Sequence, residues 1–195
     1  MEKLKRDPSS IAAITEDGRI GWVNHGWLEF ARANGGAGAA IHVGDNYFAG
    51  ICGETRGLFE AAVSDCLASG IPVEQDYECS STAVHRVYRL RMLPLSKQVL
   101  LLVHHPVATR THDRPAEPPD KARYRDESGH IAQCGNCRRT RTFPEQAWHW
   151  VPHWVERPPG SVTYVLCPVC RVFHWRETAR ELPARAIRSA VSRSR

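Results

Sequence analysis

Four of the seven cysteines fall into two matched Cys-x-x-Cys pairs, "CGNC" at 134–137 and "CPVC" at 167–170. A Cys-x-x-Cys turn presents two sulfurs to one ion, and two such turns complete the tetrahedral thiolate set of a structural zinc site. Cys134, Cys137, Cys167 and Cys170 are therefore the expected metal ligands, and the intervening segment is long enough for a hairpin or helix to bring the pairs together. Residues 131–176 are too few to bury an independent core comfortably, so metal-binding free energy would serve there as folding free energy. Two other chemistries use the same residues. A thioredoxin-like redox pair should follow a strand and open a helix, whereas "CGNCRRTRTFPEQ" soon meets Pro144. An iron–sulfur cluster would take four thiolates just as zinc does.

Neighbouring residues have plainer readings. His130, His149, His153 and His174 are close in sequence, but four thiolates fill a tetrahedral site and leave the histidines as surface or outer groups. Trp148, Trp150, Trp154 and Trp175 read as a small hydrophobic cluster packed against the knuckles.

Paired cysteines mean metal or redox chemistry where thiols stay reduced. The opening "MEKLKRDPSS" has no apolar core of the kind a secretory signal needs, and no run of about eighteen apolar residues occurs, so the expectation is a soluble cytoplasmic protein. The net charge of +5 is unevenly placed. Residues 1–110 hold 11 basic and 12 acidic side chains, and residues 111–195 hold 15 and 9. Excess positive charge and cysteine pairs thus share one end.

The stretch "VATRTHDRPAEPPDKARYRDESGH" is rich in Pro and charge and poor in large aliphatic residues, which reads as a linker at 108–130. Before it, "IAAIT" and "RIGWVN" form a strand pair about an Asp17-Gly18 turn. A helix follows from a cap at Asn24 to a stop at Gly35, and a longer one places Leu58, Phe59, Ala62, Val63, Cys66 and Leu67 on one stripe, which makes Cys66 a core residue. Three strands come next. In "VEQDYEC" and "RVYRLRML" polar and apolar residues alternate, and antiparallel pairing that sets Asp76 against Arg89 also sets Glu74 against Arg91. "QVLLLVHH" is continuously apolar and so central or covered on both sides.

"DGRIGWVNHGWLEFARANGG", "VGDNYFAGI", "DYECSSTAVHRVYRLRMLPL" and "VLLLVHH" together resemble a bacterial PAS domain over residues 10–107. The resemblance implies an α+β fold, a five-stranded antiparallel sheet with helices on one face, used for sensing, signal relay or dimerisation. "IAQCGNCRRTR", a tryptophan-rich middle and "LCPVC" resemble the small four-cysteine, zinc-ribbon-like segment at the end of some PAS- or receiver-containing regulators. Those segments often carry His-Gly before the second knuckle, where this chain has Tyr164-Val165, so no role for that histidine carries over. The expected organisation is a PAS-like sensory domain at 10–107, a linker at 108–130, a zinc module at 131–176 and a basic helix or tail at 177–195.

Ligand identity inside the first domain stays open. Cys52 lies in "GICGETRG", not in an Asn-Cys-Arg-Phe-Leu-like flavin photosensor motif, and His25, His42, His85, His104 and His105 are haem-ligand candidates by residue type alone. An unidentified small apolar ligand, or none, is the default. No phosphate loop, Gly-x-Ser-x-Gly elbow or kinase signature set is present, so the chain reads as non-enzymatic. Two functions follow. One is a sensory or signal-relay protein, homodimeric through its PAS-like domain, with output by contact with a signalling partner. The other is a nucleic-acid-binding transcriptional regulator, in which Arg138, Arg139 and Arg141, with Arg171, Arg176, Arg180, Arg185, Arg188, Arg193 and Arg195, face phosphates.

Overall fold

The computed structural model describes residues 2–33 and 42–174, with residues 173 and 174 described in backbone only. The expected helix stop at Gly35, the His174 side chain, Trp175, Arg176 and the basic tail at 177–195 lie outside these residues.

The chain opens with a short helix α1 (Glu2–Lys5), a strand pair β1 (Ser10–Thr15) and β2 (Ile20–Val23), and helix α2 (His25–Ala33). Asn24 caps α2 as expected, accepting from Trp27 N at 2.9 Å. Its side chain does more than cap. The same oxygen accepts from Ile11 N, and the amide donates to the carbonyls of Leu4, Asp7 and Ser9, tying the N-terminal segment to β1. A 3₁₀ turn (Tyr47–Gly50) leads into the long helix α3 (Gly53–Ser69), which ends at Gly70 in the left-handed conformation. Phe59, Ala62, Val63, Cys66 and Leu67 are buried on one stripe of α3, with Leu58 half-buried beside them. Those are the expected inward positions.

Strands β3 (Val73–Glu78), β4 (Val84–Pro94) and β5 (Val99–Thr111) complete a five-stranded antiparallel sheet in the order β2-β1-β5-β4-β3. β5, the continuous apolar run, is central. Glu74 pairs with Arg91 and Asp76 with Arg89, and both pairs close as ion pairs at 2.7 Å on the exposed face. Ile14, Leu90, Met92, Leu100 and Leu102 fill the other face together with the apolar stripe of α3.

The second part is also a sheet. Helix α4 (Lys121–Tyr124) precedes β6 (Ile131–Cys134), β7 (Thr140–Arg141), β8 (Trp148–His149), helix α5 (Pro152–Glu156), β9 (Val162–Val165) and helix α6 (Pro168–His174). The strand order is β8-β7-β6-β9, with β6 and β9 parallel. Parallel strands need a crossover, and the segment carrying β7, β8 and α5 supplies it. Between the cysteine pairs lie the β7–β8 hairpin, helix α5 and strand β9, so both a hairpin and a helix are present.

Two expectations need correction. Residues 108–130 are not a free linker, because β5 pairs with β4 as far as Thr111 and the following stretch is anchored by Arg114 and the buried Tyr124. Its contacts are polar and aromatic and reach partners distant in sequence, which composition does not reveal. Nor do Trp148, Trp150 and Trp154 form one cluster. Trp148 packs beside the cysteines, Trp154 joins Tyr124, Ile131 and Val151 in a second small core, and Trp150 stacks on His112 with ring centroids 4.3 Å apart.

Candidate metal centre

β6 ends at Cys134, the tight turn after it carries Cys137, and the second pair sits where β9 gives way to α6, with Cys167 just before the helix and Cys170 in its first turn. Parallel pairing of β6 with β9 brings Cys134 opposite Val165 and sets the two knuckles side by side. The four sulfurs lie within 4.8 Å of one another, and the residues are 0%, 2%, 1% and 2% exposed. Cys137 Sγ and Cys167 Sγ are 3.8 Å apart. Tetrahedral coordination with metal–sulfur bonds of about 2.3 Å requires a sulfur–sulfur spacing of about 3.8 Å. The cluster therefore has the size and donor chemistry to hold a metal ion.

The sulfurs are also hydrogen-bonded as thiolates would be. Cys167 N donates to Cys134 Sγ at 3.4 Å, Cys170 N to Cys167 Sγ at 3.4 Å, and Asn136 Nδ2 to Cys170 Sγ at 3.3 Å. Such bonds orient metal ligands and favour their charged form. The close-set sulfurs differ in proton affinity. Interaction with the three neighbouring sulfurs holds the Cys134 thiol below the ordinary range and pushes the Cys137 thiol above it. A divalent ion bound here would be held by four thiolates, and its binding would release the remaining protons.

Each knuckle is closed by its own backbone. Arg138 N donates to Cys134 O, Cys134 N to Arg139 O, and Arg171 N to Cys167 O. Arg138 takes a φ of 62° to close the first. Its guanidinium lies over the Tyr164 ring at 5.1 Å, so the residue found where the resembling segments often carry histidine supports an arginine. Arg138, Arg139 and Arg141 are all half-buried. Among the described residues only the four cysteines group as metal-ligating side chains; His130 and His153 are exposed, and His149 Nδ1 lies 3.2 Å from Tyr124 Oη.

The centre is not a free-standing knuckle pair. The four cysteines and Leu166 belong to the same buried cluster as Phe59, Val63, Leu90 and Leu102. The N-terminus of α3 is seated between the knuckles: Glu54 accepts from Leu166 N at 2.9 Å and pairs with Arg171 at 2.5 Å. A Cβ on Gly53 would overlap the Tyr164 carbonyl, and one on Gly135 would lie 2.5 Å from Thr55 Oγ1. On the other side, Asn136 Oδ1 accepts from Glu78 N at 2.8 Å at the end of β3. Glu78, with its side chain 5% exposed, is held by both terminal nitrogens of Arg114 at 2.8 and 2.7 Å. Arg114 also donates to Cys137 O at 3.2 Å and lies over Trp150. Sequence reasoning missed Glu54, Glu78, Arg114 and Asn136, whose partners lie far away in the chain.

Of the haem-ligand candidates, His104 is enclosed within the sheet domain. Tyr77 Oη lies 2.8 Å from His104 Nδ1 and Tyr47 Oη 3.5 Å from Nε2, with Trp27 packed beside them. Burial pushes the imidazole down to about 4, so it is neutral near pH 7. His25, His42 and His105 are exposed, and His85 reaches Glu78 at 3.5 Å. Cys66 is wholly buried on α3, as expected, and donates to Ile71 O.

No protein-family model and no curated protein matches the chain. Among solved structures it is similar to a domain of an HTR-like protein from Haloarcula marismortui, at 19% identity and a TM-score of 0.41, covering 52% of this chain and 100% of that one. It is also similar to the PAS domain of the RpfR quorum-sensing receptor from Cronobacter turicensis, in complex with C12:0, at 14% identity and a TM-score of 0.42, covering 53% of this chain and 97% of that one. A third similarity is to the PAS domain of an HTR-like protein from Haloarcula marismortui, at 13% identity and a TM-score of 0.35, over 54% and 86% of the respective chains. No described helix is long and apolar enough to cross a membrane.

Proposed function

We propose that this chain is a bacterial sensory or signal-relay protein in which the five-stranded domain responds to a small ligand or a protein partner, and a zinc-stabilised four-cysteine module delivers the output by protein contact. The observation that carries this reading is the seating of α3 between the two knuckles, with Glu54 on Leu166 N and Gly53 against Tyr164. A signal that favours one packing of α3 against the sheet would alter the surface that the module presents, which is a population shift between two packings. A ligand entering the sheet domain would meet Trp27, Tyr47, Tyr77 and His104. The partner state that goes with this reading is a homodimer formed through the sheet domain.

Zinc is the favoured ion because the donors are four thiolates at tetrahedral spacing. A closed site has no position for substrate, and we read the chain as non-enzymatic. Output through protein contact is preferred to nucleic-acid binding because Arg138, one of the candidate phosphate contacts, has its guanidinium over Tyr164 and its backbone in the first knuckle.

Metal content and the absorption spectrum of protein purified without added metal test the proposal, together with sedimentation velocity. About one zinc per chain, no visible bands and a dimer are expected. Visible bands would replace zinc by an iron–sulfur cluster or reveal a chromophore. A monomer whose affinity for DNA or RNA falls steeply with salt would favour the regulator reading instead.

A further inference from the structure

Asn136 occupies a position that its neighbours in the first knuckle do not. It is 4% exposed, and both ends of its amide are used. Nδ2 donates to Cys170 Sγ at 3.3 Å, and Oδ1 accepts from Glu78 N at 2.8 Å. The first contact falls on one of the four sulfurs. The second falls on the peptide unit that joins Tyr77 to Glu78 at the end of β3.

That peptide unit has a different environment on each side. Tyr77 points into the sheet domain, where its hydroxyl lies 2.8 Å from His104 Nδ1 and its ring meets Phe59 of α3 edge-on. Glu78 points to the four-cysteine side, where Arg114 holds its carboxylate and also binds Cys137 O. One side-chain amide thus stands between a metal-ligand sulfur and the peptide that positions the Tyr77 phenol.

We propose that Asn136 is a coupling residue that links occupancy of the four-cysteine centre to the Tyr77–His104 contact inside the sheet domain. The argument is electrostatic and geometric. A metal-bound thiolate is a fixed, charge-assisted acceptor for the Nδ2–H, whereas a thiol sulfur at Cys170 is a weak one. With Nδ2 held, the planar amide has one orientation left for Oδ1, and the Glu78 N–H is fixed with it. When the sulfur no longer holds the amide, the peptide and the phenol beyond it gain freedom to move. Coupling of this kind is reciprocal, so a ligand that displaces Tyr77 from His104 weakens metal binding by the same factor.

The inference rests on the metal reading given above, and cobalt(II) serves as the probe because its thiolate complexes are coloured. The full chain is stripped, reloaded with cobalt(II), and followed by visible absorption. The His104 ring nitrogen signals and the exchange rate of the Glu78 amide are then compared in loaded and stripped protein, and in loaded Asn136→Ala. The expected result is that loaded Asn136→Ala keeps the four-thiolate cobalt bands but shows shifted His104 signals and Glu78 exchange at least about tenfold faster than loaded wild type. Stripped wild type should show the same changes. If stripping unfolds the protein, the comparison of loaded wild type with loaded Asn136→Ala decides alone. Loaded Asn136→Ala with wild-type His104 signals overturns the coupling and leaves the metal site standing, even where Glu78 exchange is faster, because the variant removes the acceptor of the Glu78 amide in any case. Wild type that never develops thiolate–cobalt bands overturns both.

Discussion

Gly53 and Tyr164 meet backbone to backbone: Gly53 stands at the start of α3 with a φ of 59°, and a Cβ placed on it would lie 2.7 Å from the Tyr164 Cβ and closer still to the carbonyl. The docking of α3 on β9 therefore depends on the absence of a side chain at this position. Gly57, one turn further along α3, has nothing within 4 Å of where a Cβ would lie. The pair makes an internal control.

Gly53→Ala should destabilise the protein by about 2 to 3 kcal/mol, since it combines a positive φ with a backbone overlap. Gly57→Ala should stabilise it by about 0.5 to 1 kcal/mol, the usual gain on replacing glycine inside an exposed helical turn. Urea unfolding of both variants checks this. Equal effects of the same sign would mean that α3 does not sit on β9 in this way.

The shared core changes what loss of a cysteine ligand should do. If residues 131–176 were an isolated knuckle module, Cys134→Ser would unfold that part and leave the sheet domain intact. Cys134 instead packs in one cluster with Phe59, Val63 and Leu90. Cys134→Ser, or removal of metal by a strong chelator, should thus lower the unfolding temperature of the whole protein by more than about 10 °C and expose α3 to hydrogen exchange. Unchanged protection of α3 in the variant would restore the picture of two independent parts.

The Glu78–Arg114 pair is nearly enclosed, with side-chain exposures of 5% and 13%. Removing one partner leaves a buried charge, while His85 at 3.5 Å offers only partial replacement. Arg114→Met should cost about 3 to 5 kcal/mol, and Glu78→Gln in the same chain should recover a large part of that loss. A double-mutant cycle measured by chemical denaturation would show it. Strictly additive losses would mean that the pair is not an interacting unit.

What the sequence made legible was local or periodic. The register of β3 on β4 followed from the charges at 74, 76, 89 and 91, because opposite charges across two strands fit only one alignment. The four sulfurs followed from their spacing, and the inward face of α3 from its period. The docking of the two sheets was not legible because the polar bonds that orient it, from Glu54, Glu78 and Asn136, are single and long-range and leave no pattern in their own neighbourhoods, and the core it shares joins residues distant in sequence. Residues 108–130 misled for the same reason. Proline and charge dilute the apolar signal there, yet strand pairing as far as Thr111, the Ala116–Trp150 bridge, Arg114 and Tyr124 together fix the segment.

His104 gives the protein a distinct acid limit. Burial lowers its pKa from 6.5 to about 4, and Tyr47, Tyr77 and Trp27 surround the ring. Between those two values the unfolded chain binds a proton that the folded protein does not. Stability from this group is therefore complete above about pH 6.5 and is lost as pH falls toward 4, by about 3 kcal/mol in all. Exposed carboxylates titrate in part of the same range, so the comparison that isolates His104 is with His104→Gln, whose glutamine carries no titrating proton. The wild type should lose stability more steeply than His104→Gln between pH 6.5 and 4, by up to one proton in the slope. Parallel curves would mean that the imidazole is hydrated in the folded protein and that the Tyr77 hydroxyl is not its fixed partner.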